Sequence, residues 1–101
     1  MKPIDQEIYD KVISRKQELM GTSPAELRKL PLWTPEPFSA CGKEQVFGVW
    51  HDKTAEGEDI FVTQCKRTIL FGFGYMFAEG FVLNSSDEVR DAKEELMWDY
   101  R

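Results

Sequence analysis

The chain is poor in the side chains that most enzyme centres use. Its 101 residues include one histidine, His51, and two cysteines, Cys41 and Cys65. Zinc sites are commonly built from close pairs such as C-x-x-C, and no such pair is present. A single histidine also limits general acid–base chemistry. The sequence therefore predicts no metal site, no cofactor and no catalytic residues, and we expect a protein that is not an enzyme.

One enzymatic alternative stays open. A cysteine nucleophile needs a nearby base, and Cys65 would lie near His51 if their two segments paired as strands. Neither residue stands in a nucleophile motif, because the "QCK" around Cys65 alternates like an ordinary strand. A thiol enzyme using Cys65 and His51 is the third hypothesis.

Long hydrophobic runs are also missing. The longest apolar run, residues 69–78, has ten residues, about half of the roughly 20 that a membrane-spanning helix needs. The first ten residues, "MKPIDQEIYD", contain no apolar segment of the kind found in signal peptides. We expect no membrane association, and a cytoplasmic location with both thiols reduced.

Basic side chains are scarce after the first thirty residues. The net charge is −5; residues 1–30 carry six bases and five acids, whereas residues 31–101 carry seven bases and thirteen acids. Proteins that bind nucleic acid gain much of their affinity from Lys and Arg, so this balance disfavours a nucleic-acid partner. An acidic surface suits solubility or a basic protein partner, as in nuclease inhibitors and immunity proteins. Asp91, Glu94 and Glu95 are the candidate acids for such docking.

The first thirty residues have helical periodicity. Ile4, Ile8 and Val12 recur at the spacing of an amphipathic helix, which begins near Pro3. Ser23 followed by Pro24 and Glu26 predicts the start of a second, short helix. The three prolines of "LPLWTPEPF" then predict an extended connector over residues 31–40.

After residue 40 the hydrophobic period changes to two. "EQVFGVWH", "IFVTQCK" and "GFVL" predict strands joined by short turns, and "EVRD" is a candidate short strand. The tail "AKEELMWDYR" fits a short helix or a strand, with Leu96, Met97 and Tyr100 facing inward. The sequence thus predicts one α+β domain over residues 1–101: two N-terminal helices (1–30) packed on an antiparallel sheet of about four strands (41–101).

Residues 69–78, "ILFGFGYMFA", read as one central strand with two different sides. One side carries large rings, and the other carries Gly72 and Gly74. We expect the first helix to lie on the glycine side, because glycine allows close approach. The ring side then completes the core or forms an interface with a protein partner or a second copy. Its rings are Phe71, Phe73, Tyr75 and Phe77.

The same segment, "FGFGYMFA", resembles the RNP1 strand of the RNA-recognition module, with Gly72, Phe73, Gly74 and Tyr75 matching in order. The resemblance covers eight of the 101 residues. Phe71 stands where the pattern has a base, and Ala78 stands where it has its last aromatic residue. The resemblance implies single-stranded RNA stacked on Phe73 and Tyr75, but that module begins with a strand, whereas two helices come first here.

These observations favour a small non-enzymatic domain that binds another protein, either an acidic inhibitor-type protein or a self-associating one. RNA binding is the alternative. Trp98 is a further candidate contact, because Trp is enriched at interface hot spots. The predicted partner-binding residues are Phe71, Phe73, Tyr75, Phe77, Asp91, Glu94, Glu95 and Trp98.

Overall fold

The computed structural model of this chain describes residues 2–68 and 74–101. It contains helices α1 (Pro3–Met20), α2 (Pro24–Arg28) and α3 (Glu94–Met97), the last followed by a 3-10 helix (Trp98–Tyr100). The strands are β1 (Trp33–Ala40), β2 (Lys43–Lys53), β3 (Asp59–Thr68), β4 (Gly74–Leu83) and β5 (Val89–Asp91). They form one antiparallel sheet in chain order. The α+β class is confirmed, with five strands where about four were predicted and with an α2 of only five residues.

Helix α1 packs against one face of the sheet, above β3 and β4. Its inward side chains are Ile8, Val12 and Leu19, which recur at the spacing expected of an amphipathic helix. The Thr63 hydroxyl donates to the Val12 carbonyl at 2.8 Å, which fixes the helix to the middle of β3. The buried residues on this face form two clusters: Ile8, Val12, Ala40, Phe47 and Cys65, then Leu19, Leu27, Val49, Phe61, Phe81 and Leu83.

The opposite face of the sheet, here called the second face, is covered in part by the C-terminal segment. Met97 of α3 is buried, and a Cβ added at Gly80 would lie only 2.9 Å from its Sδ. The absence of a side chain at Gly80 therefore allows α3 to sit close to β4. The other members of this cluster are Ile60, Val62, Ala78 and Val82. The predicted inward positions of Met97, Leu96 and Tyr100 agree with this packing.

The prediction of a central strand over residues 69–78 can be compared with the structure only at residues 74–78, and there the strand is not the central one. Strand β3 runs to Thr68, which pairs with Gly74 at the start of β4, and β4 is the fourth strand of the sheet. Residues 69–73 lie outside the described part of the chain. Helix α1 covers the side of β4 that carries Phe77 and Phe81, not the glycine side. Large rings fill the space between a helix and a sheet, whereas the shorter α3 uses the smooth side at Gly80.

Residues 33–40 are extended, as predicted, but they form the edge strand β1 rather than a connector. Proline has no N–H to donate, so an edge is where a sheet accommodates it. The His51 N–H donates to the Leu32 carbonyl, so by alternation the nitrogens of Pro35 and Pro37 point away from β2. The two prolines therefore cost the β1–β2 ladder no hydrogen bond.

Candidate binding surface

Part of the second face carries exposed side chains that form a row across four strands. Pro37 pairs with Val46, Val46 with Lys66, and Lys66 with Met76. All four are exposed; Val46 is 60% exposed and Met76 is 38% exposed. We call these four residues the open row. An apolar side chain in the middle of a strand is usually covered, so the exposure of Val46 marks a candidate contact surface.

The open row is uncovered because α3 is short. α3 has four residues, a rise of about 6 Å, whereas β3 and β4 have ten residues each, a length of about 33 Å. The cover ends at an aromatic cluster in which the Trp33 and Trp50 rings lie 4.6 Å apart and Tyr100 lies 6.3 Å from Trp50. Trp50 Nε1 donates to Gln64 Oε1 at 2.7 Å, so this border is held by hydrogen bonding as well as by packing.

The outer edge of β4 is open over residues 74–79. Strand β5 pairs only with Phe81, Val82 and Leu83, and no other described strand pairs on that side. The Gly80 carbonyl points outward from β4, where it accepts a hydrogen bond from the Ala92 N–H. Because backbone groups alternate along an antiparallel strand, the N–H and C=O groups of Gly74, Met76 and Ala78 also point outward.

The two edges of the sheet differ in protection. Pro35 and Pro37 remove outward donors from β1, which is a common way to prevent edge-to-edge pairing. The open segment of β4, "GYMFAE", has neither proline nor lysine. Tyr75 beside this edge is 57% exposed. The β4 edge is therefore available to an added strand, and the β1 edge is blocked.

A groove of about 250 Å³ separates α1 from β4 and β5. Lys16 lines this groove, with Nζ 2.9 Å from an Asp91 oxygen and 4.0 Å from a Glu79 oxygen. The remaining lining residues are Ile13, Gln17 and Met20. The groove therefore lies on the α1 side of the sheet and reaches β4 at Glu79, next to the open segment.

The predicted aromatic residues are only partly brought together. Tyr75 is exposed, with the Arg67 guanidinium 6.0 Å from its ring centre, whereas Phe77 is half-buried against the core beneath α1. Trp98 is 67% exposed and follows α3. Phe71 and Phe73 lie outside the described residues.

The predicted acidic residues are separated along the end of the chain. Asp91 faces Lys16, and Glu94 is hydrogen-bonded to Arg101. Glu95 is exposed and lines a different cavity beside Asp52 and Lys53. Two of the three carboxylates therefore have a cationic neighbour within the same chain.

The structure does not bring Cys65 and His51 together. His51 pairs with Phe61, and Cys65 lies four residues further along β3, at a distance of about 13 Å. Cys65 is fully buried, and burial raises the pKa of its thiol to about 11. Both ring nitrogens of His51 already have partners, Nδ1 with the Leu30 carbonyl and Nε2 with Asp59, each at 2.8 Å. Neither residue has the surroundings of an activated thiol pair.

The Asp59 carboxylate is the best-connected buried acid. It is 5% exposed and contacts His51, Lys53 Nζ at 3.0 Å and Arg28 Nε at 3.4 Å. Burial alone would raise the pKa of Asp59, but the hydrogen bonds from His51 and Lys53 outweigh it, so the pKa is lowered. Arg28 also contacts Asp87 at 2.7 Å, so this network joins α2 to the sheet and to the β4–β5 turn.

Within residues 2–68 and 74–101, no group of three or more His, Cys, Asp or Glu residues is placed to hold a metal ion. None of the described helices combines the length and apolar character needed to cross a membrane.

Comparison with known proteins identifies no relative: no family model, no curated protein and no solved structure matches the chain.

Sequence reasoning named Tyr75, Phe77 and Trp98 but missed the open row. The alternation of "EQVFGVWH" assigns Val46 to the same face as Trp50, which suggests burial. The relevant signal is the difference in length between the C-terminal helix and the strands. A helix of one or two turns cannot cover strands of ten residues. Comparing those lengths would have identified Val46 and Met76 as exposed.

Proposed function

We propose that this protein is a non-enzymatic binding domain that docks a protein partner on the open row. The observation that carries the proposal is the exposure of Val46 and Met76 in mid-strand positions of one sheet face. Protein interfaces are enriched in Met and aromatic residues and are surrounded by polar rims. The open row supplies three apolar side chains, Pro37, Val46 and Met76, with the exposed cation Lys66 between the last two. Exposed Glu44 and Ser39 lie next to the row along β2 and β1.

A photo-crosslinking residue at Val46 tests the proposal in cells of the organism of origin. We expect a discrete crosslinked protein, which is then purified and titrated with this chain. Val46→Lys should weaken that binding at least about tenfold, because a charge is placed in an apolar contact. Gln6→Lys is the matched control, since it makes the same charge change on the exposed side of α1.

The result that would sink the proposal is equal affinity of the Val46→Lys variant and the wild type for the purified partner. A crosslink of equal yield from position 6 would also argue against it, because Gln6 is on the opposite side of the molecule. Wild-type circular dichroism spectra for both variants would show that the fold is retained.

Single-stranded RNA binding is the second candidate, favoured by the exposed Tyr75 beside Arg67. An exposed ring next to a guanidinium is suited to base stacking. Arg67 is hydrogen-bonded to Asp5, however, so its charge is partly neutralised. The five-stranded meander preceded by helices also differs from the strand-first order of the RNA-recognition module.

A titration with fluorescent oligouridine and oligoadenosine tests this candidate. RNA binding predicts saturable affinity that falls with salt and is lost in Tyr75→Ala. No binding at low salt, or binding unchanged in Tyr75→Ala, would remove it.

A further inference from the structure

We propose that this chain also pairs with a second copy of itself through the open edge of β4, to form one continuous sheet across the two chains. This inference goes beyond the proposed function, because the partner docks on the open row, whereas the second copy occupies the strand edge at which that row ends. Met76 belongs to both features: its side chain closes the open row, and its backbone lies at the middle of the outward groups of the free edge.

The edge is complementary to itself in one antiparallel register. Gly74, Met76 and Ala78 present their N–H and C=O groups outward. A two-fold axis at Met76 therefore places Met76 opposite the same residue of the second copy, and Gly74 opposite Ala78. Every outward group in this five-residue segment then gains a hydrogen-bond partner.

Side chains also match in this register. Tyr75 of each copy would lie opposite Phe77 of the other copy, so the dimer would contain two such aromatic pairs, both on the α1 side of the sheet. These are non-hydrogen-bonded pairs, in which side chains approach most closely, and cross-strand aromatic pairs stabilise sheets. No like charges are brought directly opposite one another over residues 74–78, because the segment is uncharged.

The open row would become continuous across the two chains. The two-fold axis is perpendicular to the sheet, so the second faces of the two chains lie on the same side of the combined sheet. The two Met76 side chains therefore meet on that side. The row then runs from Pro37 and Val46 of one chain through both methionines to the same residues of the other. The exposed side chain of Met76 would thereby be covered.

The two edges differ in their prolines: β1 has Pro35 and Pro37, whereas the open segment of β4 has none. This difference favours a second copy over an arbitrary extended peptide. Prolines block the β1 edge, and β5 has only three residues to offer at its outer edge. Pairing at β4 alone gives a closed pair rather than an open filament. The pair joins five residues of each chain, and both chains carry a net charge of −5. We therefore expect a weak dimer that becomes stronger as salt screens this repulsion.

Sedimentation equilibrium over a range of protein concentrations tests the inference. We expect a monomer–dimer equilibrium that weakens at least about tenfold in Met76→Pro, because this change removes an outward donor and no hydrogen bond to β3. Val46→Lys is the control: it places a charge in the same row but two strands from the edge, and should leave the dimer constant within about twofold.

Crosslinking provides a second test that does not depend on the proline variant. Facing residues of a hydrogen-bonded pair have Cα atoms about 5.5 Å apart, within the range of a disulfide. In a Cys41→Ser background, Met76→Cys should oxidise rapidly to a covalent dimer. Val46→Cys should not, because the two copies of position 46 would be separated by five strand spacings, about 24 Å.

A strictly monomeric wild type at millimolar concentration, with no covalent dimer from Met76→Cys, overturns the inference. So does a dimer that is unaffected by Met76→Pro. If Val46 then still crosslinks to a different protein, the proposed binding function stands without self-pairing. If neither self-pairing nor a Val46 crosslink is found, both proposals fail together.

Discussion

At the residue scale, buried polar contacts decide how the helical and strand parts are joined. Asp59 is buried and receives hydrogen bonds or ion contacts from His51, Lys53 and Arg28. Since its pKa is lowered, the unfolded chain takes up a proton before the folded chain does. The stabilisation is therefore complete above the ordinary Asp pKa near 3.8 and is lost as pH falls through the lower, folded value.

Asp59→Asn should lower the free energy of unfolding by about 2 kcal/mol at pH 7, because charged hydrogen bonds are lost and cations lose their partner. Urea denaturation at pH 7 and pH 3 measures this change, and the difference from wild type should shrink at pH 3. Asp87→Asn removes the more exposed partner of Arg28 and should cost less than about 1 kcal/mol. Equal costs for the two variants at pH 7 would contradict this account.

Gly48 is a second residue whose environment leads to a prediction. A Cβ at position 48 would lie 2.5 Å from the Trp33 ring and 2.6 Å from the Thr34 carbonyl oxygen. Gly48→Ala should therefore destabilise the fold by about 1–3 kcal/mol, because Trp33 must move away from the sheet. Gly21→Ala is the control, since its nearest neighbours lie at 3.6 Å and 3.8 Å. Thermal unfolding compares the two, and a stable Gly48→Ala would show that Trp33 does not pack as described.

At the scale of elements, the prolines of β1 and the short α3 determine what stays open. Replacing Pro35 and Pro37 with Thr should leave the fold intact, because neither nitrogen points toward β2. The added outward donors should instead permit pairing at this edge. Light scattering at raised concentration should therefore show faster association of the double variant. Unchanged solubility and oligomeric state would count against proline as the protection of β1.

α3 contributes mainly through Met97, which is 2% exposed. Met97→Ala should cost about 2–3 kcal/mol, from lost apolar contact and a cavity beside Gly80. Trp98→Ala removes a larger but exposed side chain and should cost much less. Chemical denaturation distinguishes the two. A larger cost for Trp98→Ala would mean that α3 packs on the second face differently.

Elements with simple periodicity were predictable from sequence. The helical spacing of Ile8 and Val12 and the alternation in "IFVTQCK" identified α1 and β3, because burial on one side imposes those periods. β1 was missed as a strand because three prolines suggest a connector until the sheet edge is known. The place of β4 in the sheet was predicted wrongly, because the alternation of rings and glycines indicates a buried strand but not its position in the strand order.

The candidate site was less predictable than the fold. Exposure of Val46 and Met76 depends on how far α3 extends over the second face, which is a tertiary property. Tyr75 and Trp98 were identified because large aromatic residues are frequent contacts. Local sequence patterns show that β4 has a ring side and a glycine side. They do not show which of the two sides packs against α1.

At the scale of the whole molecule, we assign binding to the uncovered part of the sheet, where the open row meets the β4 edge. The chain is elongated, with extents of 43 × 23 × 23 Å. Its covered part holds α2, α3 and the Asp59 network. Stability and binding are thus assigned to different regions, so substitutions at Val46 should weaken partner binding with little effect on unfolding.

A dilution series of the ¹⁵N-labelled protein followed by amide NMR tests this central claim most directly. The account predicts concentration-dependent shifts at Gly74, Met76 and Ala78, extending to Val46 and Lys66, with little change on the exposed side of α1. Unchanged spectra from micromolar to millimolar concentration, or shifts centred on β1 or α1, would contradict it.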